Sequence, residues 1–592
     1  MKTKIYCTAA LLFICYTANT SAQTNKKDSV VNRSVTVERD FQPVIQDAGK
    51  ILTTPAEIEP DVEKTTPSYA TFASPLSVSY SIHPLDPELL VHKQSDVLKG
   101  YFRVAAGYPG NTLADFMYPL VKNKSNRLDF SVNHLGAFGS KTHSKTNVGL
   151  QYDHLFNSFS VFTGIGITHD YFNYYAPWQG SEKSFIMSAA AASHDYDSKA
   201  AMYTAPDNST LSLYDLSGLP QNETHWRVNT HVGIKSSPLS TSVKYLFDLQ
   251  YNIFQSVKEQ MDENHLKLVG KFEIPFNDNY LGMNIDINNL VYGVNNQTAF
   301  NFPETYSVIK LNPYYKLEGD AGFLKLGVKT GISANHGQVF TPSPDVEGEW
   351  NAIKRYLAVY GGVTGDLEIN SMSHMYDVNR YLSSPYRLND LYTPIDAYAG
   401  VKLKPTYNFI FDIFGNYKII NKQYFFVNRE YKMQSPLAGM PTNINNTIYQ
   451  NRFDTITSNA TQRTLGARVD YSYKDMVNVY FKGAHHFWHV NGQQYAWQMP
   501  MWDVDFGASV KIMNDFGLNT QVFFQDGRYA KLGNNAVKMA PVLDVNLGGS
   551  YSYSNWLTLF VKANNLLNKK YDIYYGYQVQ GINAMAGVIL SF

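Results

Sequence analysis

From residue 100 onward the chain alternates between apolar and polar positions. Phe159, Val161, Thr163, Ile165 and Ile167 are interleaved with Ser158, Ser160, Gly164, Gly166 and Thr168. Val243, Tyr245, Phe247, Leu249, Tyr251 and Ile253 are interleaved with Ser242, Lys244, Asp248, Gln250 and Asn252, and the same pattern runs through residues 465–474 and 543–553. A period of two is that of a strand, whose side chains point alternately to opposite faces. One face here is apolar with aromatics near its ends. The other is mostly Lys, Asp, Asn, Gln, Ser and Gly, and therefore needs water. An apolar outside with aromatic girdles around a wet inside is the pattern of a transmembrane β-barrel. A soluble sandwich also alternates, but the length and number of these runs favour the barrel.

The connections fall into two kinds. Short ones at residues 121–126, 156–158, 276–280, 361–365 and 513–517 alternate with longer, aromatic or Asn-rich ones at 171–224, 255–265, 333–350, 371–392, 428–459 and 566–580. Counted through, they join about 22 antiparallel strands, with short periplasmic turns, long outer loops and both barrel ends on the periplasmic side. That is the strand number of outer-membrane transporters with a plugged lumen. Residues 366–370 read as a short strand, and residues 184–192 as a pairing within their loop.

The last stretch repeats the alternation: Leu557, Leu559, Val561 and Ala563, then Ala584, Ala586, Val588, Leu590 and Phe592. A barrel can end on such a strand because the last strand pairs with the first and leaves no edge in lipid. Asn564-Asn565-Leu566-Leu567-Asn568-Lys569-Lys570-Tyr571-Asp572, then Gly576-Tyr577, then a final strand ending in Phe, resembles the C-terminal end of the TonB-dependent receptor barrels of Gram-negative outer membranes. Those receptors usually carry Gly-Arg before the last strand, where this chain has Gly581-Ile582. The resemblance implies a transport barrel of the outer membrane. It also implies a closing strand in which Val588, Leu590 and Phe592 address the barrel-assembly machinery, and contact with TonB or a periplasmic or lipoprotein partner.

The chain has 592 residues, 17% of them charged, with 44 Tyr and 34 Phe. Average soluble domains carry about 25% charged residues. Residues 1–22 read as a secretory leader: Lys2 and Lys4, an apolar stretch from Ala9 to Tyr16, and Thr20-Ser21-Ala22 before Gln23. Both cysteines, Cys7 and Cys15, lie inside it. Ile14 is too bulky for a lipoprotein site at Cys15, so no disulfide or thiolate chemistry is expected in the mature chain. Without Lys2 and Lys4, 48 basic residues face 50 acidic ones, and nothing points to nucleic acid.

Residues 23–99 form a segment of their own, with seven prolines and an acidic run at Glu57, Glu59, Asp61 and Glu63. Such a composition favours extended chain over a packed core. Within it, Val35, Thr36, Val37 and Glu38 loosely resemble the box by which such receptors offer a strand to TonB. The alternative is an ordered stub packed under or inside the barrel. The interval is too short and proline-rich for the receptors' globular plug, so the chain resembles a receptor barrel without one.

Candidate chemistry is sparse. His485, His486 and His489 form one cluster, but neighbours in a strand face opposite ways and residues four apart lie too far apart to chelate comfortably. Beside Phe487 and Trp488 they read as interfacial girdle, not a metal site. His143-Ser144 and His169-Asp170 lack the third member that a hydrolase needs. No enzyme activity and no cofactor are expected. In the loop after residue 171, Tyr174, Tyr175 and Trp178 could stack on a ligand's sugar rings, dock a lipoprotein, or form the loop's own core. An unfilled barrel of this size would breach the membrane. Two functions therefore remain: solute transport through a lumen closed by the N-terminal segment, loops or a partner, and a non-transporting barrel that scaffolds an outer-membrane assembly.

Overall fold

The computed structural model describes residues 100–177, 179–180, 202–204, 210–212, 221–237, 243–294, 305–383, 389–432, 447–474, 476–513 and 515–592. Residues 1–99, with Val35, Thr36, Val37 and Glu38, lie outside the described residues, as do Trp178 and residues 184–192.

Twenty-two strands make the wall. In chain order they are β1 (Tyr101–Tyr108), β2 (Asn111–Lys122), β3 (Asn126–Ala137), β4 (His143–Leu155), β5 (Phe159–Asn173), β6 (Asn222–Ser236), β7 (Lys244–Ser256), β8 (Met261–Phe276), β9 (Asn279–Val294), β10 (Thr305–Gly319) and β11 (Gly322–Ala334). Then follow β12 (Phe340–Ile353), β13 (Leu357–Glu368), β14 (Leu391–Thr406), β15 (Phe409–Lys432), β16 (Thr447–Tyr473), β17 (Val477–Val490), β18 (Trp502–Met513), β19 (Phe516–Asp526), β20 (Val542–Ser554), β21 (Leu557–Asn564) and β22 (Asn583–Ser591). Each pairs antiparallel with the next, and β22 returns to β1, with Tyr101 opposite Ser591 and Tyr108 opposite Ala584. The Gly100 N–H donates to the Phe592 carbonyl at 2.7 Å, and the Phe592 N–H donates back at 2.9 Å. The expected closed barrel of 22 strands is what the chain forms. Among the described residues no helix is long and apolar enough to cross a membrane.

The two faces are as the alternation requires. Ile165, Ile167, Phe247, Leu249, Tyr251, Leu465, Leu547 and Tyr551 all lie exposed on the outside, where lipid covers them. Asp248, Asp544 and Asn546 take the intervening inward positions. Val588, Leu590 and Phe592 fall on the outer side of the closing strand. The Phe592 ring lies 5.7 Å from Tyr118 and 6.4 Å from Phe116, tying the seam to β2 on the outside.

Several connections differ from expectation. Residues 333–350, expected as an outer loop, contain only a short connection before β12 begins at Phe340. The turn expected at 361–365 lies inside β13, and the chain turns instead at residues 354–356. Prolines argue against a strand interior, yet Pro342 and Pro344 pair with Thr330 and Val328 of β11. They are tolerated because the β12–β13 ladder starts only at Asp345 opposite Thr364. Gly361 and Gly362 imitate a turn, but Gly362 makes room for the Tyr398 hydroxyl from β14. Residues 366–368 belong to β13 itself. The loop expected at 255–265 shrinks to residues 257–260. Most of the loop expected at 428–459 is strand, because β15 and β16 run for 24 and 27 residues. About 9–11 residues suffice to cross a membrane, so this hairpin continues far past the wall on the loop side.

A charge on the outer face should be costly and one in the lumen cheap. Leu465→Arg should lower stability by about 2–4 kcal/mol, whereas inward-facing Asn478→Arg should cost less than about 1 kcal/mol. Urea unfolding in lipid vesicles measures both.

Candidate functional site at the barrel mouth

The tall hairpin creates a problem that the loops solve. Below Ala460, β16 pairs with β17 on its second edge, but above it that ladder stops. An open edge exposes unpaired N–H and C=O groups. Gln179 and Gly180, from the loop after β5, pair there with Tyr449 and Ile448. Further along, the Phe453 N–H donates to the Tyr381 carbonyl at 3.0 Å and the Ser383 N–H to the Phe453 carbonyl at 2.7 Å. Two distant loops thus complete one edge.

The segment that supplies Tyr381 and Ser383 carries a helix, α1 (Met372–Val378), capped by the Ser371 side chain accepting from the His374 N–H. The Glu263 carboxylate of β8 accepts from the N–H groups of Met372 and Ser373 at 2.5 and 3.4 Å. A carboxylate there satisfies free donors and complements the helix dipole. Met372, Met375, Tyr376 and Val378 face inward to a buried cluster with Phe172, Phe254, Leu290, Tyr306, Tyr392 and Phe453. Alternation on β15 then divides the interior. Tyr424 and Phe426 join this cluster, whereas Phe425 points the other way, to Val490, Trp497 and Met499.

Tyr577 sits at the centre, fully buried. Gly576, at φ +90°, takes a conformation that side chains rarely adopt and turns the chain so that Tyr577 enters the core. Its ring stacks on Tyr381 at 3.5 Å and meets Tyr175 edge-on at 5.0 Å, and its hydroxyl donates to the Asn451 carbonyl. Tyr574 beside it donates to the Val378 carbonyl at the end of α1. Gln498 donates from its side chain to the Phe426 carbonyl and accepts from the Tyr575 N–H, so the loop after β17 is tied in as well.

These contacts span the barrel. Asn451, on β16, donates to the carbonyls of Tyr174 and Ala176, which follow β5, at 3.0 and 3.1 Å. Ten strands lie between β5 and β16 whichever way round the barrel is counted, so opposite walls are bridged. Ion pairs reinforce the bridge: Arg452 with Glu259, and Arg227 with Asp377 at 2.9 Å. The Arg528 guanidinium donates to the carbonyls of Asp572 and Ile573 at 2.9 and 3.0 Å, and burial pushes its pKa down to about 10, still charged at neutral pH. Burial likewise pushes the hydroxyls of Tyr174, Tyr381 and Tyr577 up, so all three remain neutral. A hydrogen bond to the Glu368 carboxylate at 3.0 Å raises His374 above the ordinary histidine range.

Of the residues singled out in the sequence, Tyr174 and Tyr175 both lie in this bridge. Tyr174 is 3% exposed with the Arg452 guanidinium over its ring, and Tyr175 donates to the Gln578 carbonyl at 3.1 Å. Val588, Leu590 and Phe592 lie on the wall, away from the mouth. The histidine cluster divides: Phe487 and His489 lie exposed on the outside, with the His485 ring against Trp502 there, whereas His486 faces inward beside Thr464. The girdle reading therefore fails for His486 and Trp488, whose side chains lie inside the barrel. His169 and Asp170 are strand neighbours pointing to opposite faces and cannot act together. Among the described residues no group of three or more His, Cys, Asp or Glu is placed to hold a metal ion. Sequence reasoning missed Tyr381, Asn451, Arg452, Tyr574 and Tyr577. The glycine before Tyr577, in a run with Tyr571, Tyr574 and Tyr575, was the available clue.

A closed 22-stranded barrel with an apolar outside and polar inside is a multi-pass outer-membrane protein. No protein-family model matches the sequence, and no curated protein matches it. Solved structures do resemble the fold. The siderophore receptor PirA from Acinetobacter baumannii aligns with a TM-score of 0.59 at 12% identity, over 83% of this chain and 80% of that one. The copper transporter OprC aligns at 0.56 and 13% over 83% and 80%. The ferric-catecholate import receptor Fiu from K12 E. coli aligns at 0.57 and 7% over 83% and 82%. At these identities the likeness is one of fold, the barrel of the TonB-dependent receptors.

Two predictions follow from the mouth's geometry. Tyr577→Ala should cost about 3–5 kcal/mol of loop-core stability, and Tyr577→Phe about 0.5–1.5 kcal/mol for the lost hydrogen bond. Both are read as faster hydrogen exchange in residues 371–383. Because the folded-state pKa of His374 is raised, its contribution should be fully present below about pH 6.5 and be lost as pH rises through the higher folded value. Exchange in α1 should therefore accelerate beyond its intrinsic base catalysis as pH rises past about 6.5, and His374→Asn should abolish that excess.

Proposed function

We propose that this protein is an outer-membrane transport barrel whose outer mouth is shut by its own loops. The observation that carries the reading is the bridge between opposite walls, from Asn451 to Tyr174 and from Tyr381 to Tyr577. Beneath it the lumen is polar, including a cleft of about 310 Å³ lined by Asp470, Asn478, Tyr480, Asn519, Gln521 and Lys562. A hydrated solute can be accommodated on that side, and opening requires the loop core to part. Support for transport comes from the shared fold of a siderophore receptor and a copper transporter. In this reading Val35, Thr36, Val37 and Glu38 offer a strand to TonB or another periplasmic partner, and Tyr174, Tyr175 and Trp178 meet the solute or a lipoprotein as the mouth opens. The rival is a non-transporting scaffold, and the extent of the loop core favours it to the degree that the mouth never opens.

Planar-bilayer conductance separates them. The full chain and one lacking residues 23–97 should both be nearly silent, and Tyr381→Ala/Tyr577→Ala in either should give large, long-lived pores. Large pores from the truncated chain alone would make the N-terminal segment the seal instead. Silence in every variant, with the barrel shown folded, would favour the scaffold.

A further inference from the structure

One quarter of the inner wall differs from the rest. Inward-facing Ala105, Leu113, Phe560, Met585 and Ile589 form a single apolar cluster across β1, β2, β21 and β22, with Leu135 packed beside it. These five are only 1–8% exposed. The Arg103–Asp115 ion pair in the same quarter is also buried, its side chains 9% and 8% exposed. Elsewhere the deeply buried inward side chains are mostly polar, such as Asp345, Asp412 and Thr464, and around the cleft Tyr480, Asn519 and Gln521 are half-buried and Asn478 is exposed.

Side chains on one face of a sheet stand side by side. Long charged neighbours can fold over a tip, as Lys325 and Lys329 do at Asp345. Short apolar neighbours cover only one another's flanks, so a deeply buried apolar face calls for a second layer. Among the described residues, the hydrophobic neighbours of Ile589 are the members of this same wall cluster. Ile589 also lies six residues from Asn583, about 20 Å down the strand from the loop end.

The preceding chain arrives at this place. Gly100 is bonded to Phe592 at the turn end of the β1–β22 seam. Upstream, Leu76, Val78, Tyr80 and Ile82 alternate with Ser77, Ser79 and Ser81, bounded by Pro75 and Pro84. A strand of that pattern turns four apolar side chains to one face and three hydroxyls to the other. The residues between Ile82 and Gly100 span up to about 55 Å when extended. Met585, seven residues up β22 from Phe592, is about 23 Å away.

We propose that residues 76–82 lie extended inside the barrel on the apolar quarter of β21, β22, β1 and β2, with their serine face toward the lumen. The segment then acts as an inner liner of the seam, shielding the Arg103–Asp115 pair from water. This goes beyond the transport reading and does not rest on it.

With both native cysteines in the expected leader, introduced cysteines report cleanly. Heat-modifiable migration first verifies that each variant has formed its wall. Met585→Cys in outer-membrane vesicles should react with a small maleimide at least tenfold more slowly in the full chain than in one lacking residues 23–97. Val78→Cys with Leu113→Cys should form an intramolecular disulfide on mild oxidation, and Val78→Cys with Asn312→Cys, on the opposite wall, should not. Equal labelling rates would overturn the proposal, because the wall would then bury itself. A cross-link to position 312, or protection without a cross-link to position 113, would remove residues 76–82 as the occupant and overturn it equally. None of these readouts depends on whether the barrel conducts.

Discussion

The structure depends on the hydrogen-bonded join between its first and last strands. In the hydrocarbon layer an unpaired N–H or C=O costs several kcal/mol, so a sheet can stand there only if it has no edge. Eight residue pairs between β1 and β22, with the Gly100–Phe592 exchange beneath them, remove that edge. Everything else about the wall is then permitted: a polar inside, an apolar outside, and prolines where a neighbouring ladder has not begun.

The same constraint reappears at the mouth, outside the lipid. The β15–β16 hairpin outgrows its neighbours, and its free edge takes up strands from the loop after β5 and from the segment around α1. Once those segments are fixed, their aromatic side chains are brought together over the lumen. Tyr577 meets Tyr381 because Gly576 allows the turn and because the edge of β16 holds residues 381–383 in place. The core of the mouth is thus a consequence of backbone pairing, with aromatic packing added to it.

How much of this was legible in the sequence follows from what each feature is made of. The wall rests on a period of two repeated in nearly every strand, and that period is local, so strand number and facing could be read residue by residue. The misplaced hairpin came from Pro342, Pro344 and the glycines at 361 and 362, whose tolerance depends on the neighbouring strands and not on their own. The mouth was hidden for a different reason. With 44 tyrosines and 34 phenylalanines, girdle, lumen and loop core draw on the same residue types. Tyr174 and Tyr175 could be marked as loop aromatics, but their partners lie hundreds of residues away and meet only when the ring closes.

The seam also has a bearing on the surrounding lipid. Strands β1, β21 and β22 have only 8, 8 and 9 residues. At about 3.3 Å per residue and a tilt near 40°, eight residues rise only about 20 Å along the membrane normal, short of the usual apolar band of about 25 Å. Acyl chains beside the seam must therefore compress or splay to match the low wall, at a cost of fractions of a kcal/mol for each ångström. The tall β15–β16 side imposes no such demand. The barrel consequently sits in a bilayer of uneven thickness, with its thinnest lipid against the strands that close it.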